Sequence, residues 1–262
     1  MSYLRFVAIG DSCTEGIDDP YPDGRGYRGW ADLVAAALAQ HEPGLRYANL
    51  AVRGRRLDQI HAEQVPTART LRPDLASVFG GGNDVLQGRW DPERMAASLD
   101  TSVRELSAVA RTVLMFTLPD LRWHRFGVKR LRRRIAVLNA AVAQIADRHG
   151  AVLIDVRDDP ATMDRRYYGA DRLHLGERGH QRLAAHVLRR IEVPAGQQWL
   201  TPLPAPEPEP LRRKAATELR WLRGHALPAA YGTIRNRMIG RQPGDGFVPK
   251  LPELRPFGRQ AQ

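Results

Sequence analysis

The chain has 262 residues, a formal net charge of +11, an apolar fraction of 43% and a single cysteine, Cys13. No apolar run approaches the ~18 residues of a membrane span. One cysteine makes no internal disulfide, which fits a reducing cytoplasm, and the first strand occupies the place a cleavable export segment would need. The positive charge is almost all arginine, with Lys129, Lys214 and Lys250 the only lysines. Arginine suits phosphate and carboxylate partners, but codon bias yields the same composition, so the charge is weak evidence for an acidic partner.

In chain order, Leu4 to Ile9 is an apolar run that stops at Gly10-Asp11, a buried strand ending in turn residues. Trp30, Leu33, Val34, Ala37 and Leu38 recur at helical spacing and predict a helix closed near Pro43-Gly44. Leu45 to Ala51 is a second strand, running into Val52-Arg53-Gly54. Leu57 to Leu71 reads as a helix kinked or broken at Pro66. A third strand, Leu75 to Phe79, ends in Gly80-Gly81-Gly82-Asn83-Asp84. Asp91-Pro92 opens a helix running to about Ala110, with the aspartate as cap. Thr112 to Leu118 is the fourth strand, Lys129 to His149 a long helix, Ala151 to Val156 the fifth strand and Gly176 to Ile191 the last helix of this part.

Strands alternating with helices predict an α/β fold with three layers, α/β/α, around a flavodoxin-like five-stranded parallel sheet of order 2-1-3-4-5. Residues 1–196 form this domain. Ser12, Gly54 and Asn83 then follow the C-terminal ends of strands one, two and three, on one sheet edge, where ligands of such folds bind. From residue 197 the character changes to a Pro/Arg-rich C-terminal extension, 197–262. Its alternating prolines, Pro202 to Pro210, predict an extended segment, Leu211 to Gly224 a short helix, and Gly240 to Gln262 coil. Eleven Lys and Arg stand against five Asp and Glu there, so it carries about +6 of the charge. A partly ordered strap is the expected form.

A serine nucleophile needs a base, an orienting acid and donors for the oxyanion. Asp171-Arg172-Leu173-His174 follows strand five on the same edge and supplies acid and base at an offset that lets them pair. The backbone N–H groups of Ser12 and Gly54 and the Asn83 amide supply three donors. Taken singly, these residues read as a turn serine, a turn glycine and a capping asparagine; their order at successive strand ends is what points to chemistry.

With these residues in hand, the chain resembles the SGNH (GDSL-type) hydrolases. Four blocks carry the resemblance: Gly10-Asp11-Ser12, Asn49 to Gly54, Gly81 to Asp84, and Asp171 to His174. It covers residues 3 to about 192 and implies Ser12 as nucleophile, His174 as base, Asp171 as its partner, and Ser12, Gly54 and Asn83 as oxyanion donors. It further implies a flexible site, no metal, no cofactor, and cleavage of acyl esters or thioesters. Cys13 and Leu175 depart from the family pattern, which has an apolar residue and a proline there.

Cys13 reads as small packing, Gly80 to Gly82 lacks the Lys and Ser/Thr of a phosphate loop, and His41, His61, His149, His180 and His186 lack metal-ligand spacing. The segment Asp120 to Arg134 combines Trp123, His124, Arg125 and Phe126 with further arginines, a charge pattern the dipole of a following helix disfavours. A solvated face is the plain reading. The sharper one is a lid over an anionic or partly apolar substrate, with Trp90, Trp123, His124, Arg125 and Phe126 as candidate lining residues. The expected activity is a serine esterase or lipase on a small-molecule ester. The alternatives are an acyltransferase using the same acyl-enzyme, or a basic-tail binder of nucleic acid or an acidic partner, which a tail with few aromatics makes a poor nucleic-acid reader.

Overall fold

The computed structural model describes residues 2–86, 90–119, 128–207, 210–228, 231, 235 and 239–257. Five parallel strands, β1 (Arg5–Gly10), β2 (Arg46–Asn49), β3 (Leu75–Phe79), β4 (Thr112–Phe116) and β5 (Val152–Ile154), form the body of the sheet. The observed order is β5-β4-β3-β1-β2-β6. Its first five strands match the expected 2-1-3-4-5.

The pleat explains the layers. Successive residues of a strand point to opposite faces, so Phe6 and Ala8 join Leu75, Leu114 and Phe116 in one core under α2 (Gly29–His41) and α7 (Glu177–Arg190). Val7 and Ile9 join Ala76, Val78, Val113 and Met115 in the other core. Helices α3 (Leu57–Thr70), α5 (Pro92–Ser107) and α6 (Val128–His149) cover that face. Both faces are buried, which is why β1 and β4 carry the continuous apolar runs Phe6 to Ile9 and Val113 to Phe116. Asp91 caps α5 as its sequence suggests, accepting from the Arg94 N–H at 3.0 Å. Helix α3 continues through Pro66 to Thr70, so of the two expected outcomes, a kink or a break, the break does not occur. No helix among the described residues is long and apolar enough to cross a membrane.

The end of the extension corrects the sequence reading. Residues 251–256 are not coil but a sixth strand, β6 (Leu251–Pro256), antiparallel to β2 with Tyr47 opposite Arg255. Its prolines are tolerated because an edge strand need not donate on its outer side. The strand covers the exposed edge of β2. Lys250 Nζ fixes its start, lying 2.8 Å from the buried Asp32 carboxylate and donating to the Tyr27 and Arg28 carbonyls. The predicted helix at Leu211 forms as α8 (Leu211–Trp221), running on into a looser turn at Leu222–Ala226.

Candidate active site

Strand β1 ends in a tight approach to β3. Gly10 has φ +155°, and a Cβ there would lie 2.1 Å from the Phe79 carbonyl oxygen, so no other residue fits. Gln64, buried on α3, takes both backbone groups of Gly10, accepting from its N–H at 2.8 Å and donating to its C=O at 2.9 Å. The chain then turns into the single-turn helix α1 (Ser12–Glu15), capped by Asp11 through the Cys13 N–H at 3.2 Å. Ser12 is thereby fixed at the strand end by backbone geometry.

The second loop is tied to the same turn. Asn49, at the end of β2, donates to the Thr14 carbonyl at 2.8 Å and accepts from the Ala51 N–H at 3.1 Å. Glu15 accepts from the Arg53 backbone N–H at 2.9 Å and pairs with its guanidinium. Gly54 follows with φ +80°, its Cα facing Pro243 and Gly244 of the extension so closely that a Cβ would lie 2.7 Å from Gly244 N. In α4 (Gly82–Leu86), the Asn83 amide donates to Asp11 Oδ2 at 3.2 Å and to the Arg55 carbonyl at 3.1 Å. The roles of Gln64, Glu15 and Asn49 as ties were not legible from spacing, since each partner lies on another element.

The third element is the turn before α7. His174 Nε2 lies 2.8 Å from Ser12 Oγ, and His174 Nδ1 lies 2.6 Å from Asp171 Oδ2. Asp171 Oδ1 also accepts from the Leu173 and His174 N–H groups, at 2.8 and 3.0 Å. An ionised Asp171 can only accept, so Nδ1 carries the hydrogen and Nε2 is free to accept from the Ser12 hydroxyl. Leu175 keeps a backbone bridge to Tyr168 and packs against the core, so the residue found in place of the family's proline still anchors the turn.

Electrostatics follow from burial and these contacts. For Asp171, burial opposes ionisation, but the His174 hydrogen bond and charge outweigh it and bring the carboxyl down to about 2. For His174, burial favours the neutral ring, yet the Asp171 hydrogen bond and the charges of Asp171, Asp11 and Asp18 raise it above its ordinary 6.5. Asp11 itself is pushed up to about 6, chiefly by burial. Burial also pushes the Cys13 thiol well above its ordinary value, which keeps it neutral and poor as a rival nucleophile. Buried His180 is lowered to about 4. It accepts from the Trp30 N–H and donates to the Ile17 carbonyl, a structural tie between α2 and α7.

Among the described residues, Asp18, Asp171 and His174 form the group whose donor atoms cluster closely enough to hold a metal, all within 4.8 Å. Both nitrogens of His174 are already engaged by Asp171 and Ser12.

Ser12, Asn83 and His174 open on a cavity of about 160 Å³ whose walls are mainly apolar, including Phe79, Leu118, Val156 and Tyr167. Asp159, Arg182 and His186 also line it, and Asp159 accepts from Arg182 Nε at 2.7 Å and from His186. Of the candidate lining residues, Trp90 packs against the core of the α5 and α6 face, with the Arg134 guanidinium 5.3 Å from its ring centre. Trp123, His124, Arg125 and Phe126 lie outside the described residues.

A model of the GDSL-like lipase/acylhydrolase family matches residues 8–182. A search of curated proteins finds no match. Among solved structures, the chain is similar to LAE5, an alpha/beta hydrolase enzyme from the metagenome of Lake Arreo, Spain. The two share 25% identity and a TM-score of 0.60 over 73% of this chain and 96% of that one. It also shares its fold with Axe2, an acetylxylan esterase from Geobacillus stearothermophilus, at 21% identity and a TM-score of 0.63 over 77% of this chain and 98% of that one. The alternating α/β order, the strand-end serine and the family match over the greater part of the sequence lead to one conclusion: the chain belongs to the GDSL-like lipase/acylhydrolase family and is a carboxylic ester hydrolase.

Proposed function

We propose that Ser12, His174 and Asp171 are the nucleophile, base and orienting acid, and that the Ser12 and Gly54 N–H groups with the Asn83 amide hold the oxyanion. The observation that carries this reading is the unbroken chain of hydrogen bonds from Asp171 through His174 to Ser12, opening on the apolar cavity. Further support comes from Axe2, whose described catalytic mutants replace a serine, and an aspartate and a histidine three residues apart. The same offset separates Asp171 from His174.

Ser12 Oγ attacks the ester carbonyl carbon while His174 Nε2 takes its proton. Asp171 stays ionised and stabilises the imidazolium. Negative charge develops on the carbonyl oxygen, and Asn83 gives up its longer bond, that to Asp11, to donate to it. Collapse expels the alcohol, which takes the proton from His174. Water, deprotonated in turn by His174, then attacks the acyl-Ser12 carbonyl and releases the carboxylic acid and free serine.

The cavity sets the acyl group. An apolar cavity of about 150 Å³ holds a benzene-sized guest, so an acyl chain of about four to six carbons fits the space beside Ser12. Exposed Arg130 and Arg133 on the first turns of α6 extend the proposal to esters carrying an anionic group. The test is hydrolysis of p-nitrophenyl acetate, butyrate and octanoate, with and without a carboxylate on the acyl chain. Butyrate is expected to give the highest kcat/KM. A profile that is flat, or peaks at octanoate, contradicts the pocket assignment.

A further inference from the structure

The turn that carries Asp171 and His174 is held on its outer side by the extension. Arg172, between them, has φ +61°, a left-handed conformation that side chains rarely adopt without outside support. That support comes from α8. Arg172 Nη1 donates to Glu218 Oε2 at 2.7 Å, and the Arg172 guanidinium lies 4.6 Å from the centre of the Trp221 ring. Trp221 Nε1 donates to the Asp171 backbone carbonyl at 3.3 Å. The other Glu218 oxygen lies 2.5 Å from Arg165, in the short helical turn Arg165–Tyr167 that leads into the same segment. One carboxylate and one indole thus bridge both sides of the turn.

Glu218 and Trp221 lie outside the stretch that the family model matches, while Arg165, Asp171 and Arg172 lie inside it. The family match ends at residue 182. LAE5 and Axe2 are covered over 96% and 98% of their lengths while only 73% and 77% of this chain is used. We infer that Glu218 and Trp221 are positioning residues for the reaction: they hold Arg172 in its left-handed turn and so keep Asp171 and His174 aligned on Ser12. The inference rests on the assignment of Asp171 and His174 made above. Nearby charge agrees with it, since the Arg172 hydrogen bond to Glu218 is the main cause that lowers the Glu218 carboxyl.

The contacts act through the turn and not on the substrate, so they bear on kcat rather than on binding. In the 262-residue chain, Glu218→Gln and Trp221→Phe are each expected to lower kcat on p-nitrophenyl butyrate about fivefold, with KM unchanged. The acid limb of the pH profile should move to lower pH, because a loosened Asp171 raises His174 less. Glu218→Asp, which keeps the charge, should recover most of the rate. Hydrogen exchange at the Leu173 and His174 amides, read by NMR, reports on the turn without any turnover and should quicken about tenfold in both variants. Ser12→Ala runs alongside: if wild type has no Ser12-dependent turnover, the catalytic assignment fails, and amide exchange alone decides the clamp. Wild-type exchange rates in Glu218→Gln and Trp221→Phe, or wild-type kcat where turnover exists, overturn the inference.

Discussion

Ser12 and His174 meet at 2.8 Å, yet the segments that carry them are anchored in unlike ways. Ser12 is held by a close backbone approach and two buried side chains. Gly10 is wedged against β3, Gln64 satisfies both its polar groups, and Asp11 caps the turn, all in buried surroundings. His174 is held by side chains on a long connection between β5 and α7, and part of its support comes from α8, far along the sequence. The loop that carries Gly54 is intermediate. Its inner side is tied to α1 through Asn49 and Glu15, while Arg55 reaches outward to Asp245 at 3.0 Å in the extension. The difference teaches that Ser12 is placed by buried contacts within residues 8–182, whereas the turn carrying His174 is also met from outside that stretch, by Glu218 and Trp221 of the extension.

That contrast is breakable in order of effect. Asp171→Asn keeps the shape of the turn but removes the charge that fixes the tautomer, and kcat should fall by about 10³–10⁴ in steady-state ester hydrolysis. Retention of more than a tenth of the rate would mean that Asp171 does not orient His174. Gly10→Ala attacks the backbone side. A Cβ 2.1 Å from Phe79 O must push β1 from β3, and urea denaturation should show a loss of about 2–4 kcal/mol. An unchanged midpoint would remove the account of how Ser12 is fixed.

The smallest effect is electrostatic. Below its raised pKa, His174 is an imidazolium and cannot accept the Ser12 proton, so kcat/KM should fall with decreasing pH along a limb centred above 6.5. Asp11→Asn removes one of the negative charges that raise His174 while leaving an oxygen for the Cys13 N–H, so the limb should move to lower pH. A limb that stays in place would show that Asp11 does not act on the base. Stability has matching signs. The raised His174 contributes fully below 6.5 and loses its contribution as pH rises through its folded value. The lowered Asp171 contributes above 3.8 and loses it as pH falls toward about 2.

Most of the domain was legible because both periods are clean: β3 runs over the expected Leu75 to Phe79, and α6 and α7 begin and end within a residue or so of their apolar patterns. The candidate residues were legible because each sits at a strand end or in the turn before α7. What was hidden is non-local. Strand β6 carries Pro252 and Pro256, which locally argue against a strand, and forms because β2 offers an open edge. Gln64 reads as one polar residue on a helix, and only the fold brings it to Gly10. Trp221 stands 50 residues from Asp171, beyond the reach of any spacing rule. The aromatic and basic segment around Trp123 lies outside the described residues, so its expected part in the site rests on sequence.

The most direct test of the central claim is labelling with a fluorophosphonate, followed by mass spectrometry of the modified peptide, in wild type and in Asp171→Asn. A single adduct on Ser12, formed rapidly in wild type and at least about a hundredfold more slowly in the variant, is the predicted result. Modification at another residue, or equal rates in both proteins, would contradict the assignment of Ser12 as a nucleophile activated through His174 and Asp171.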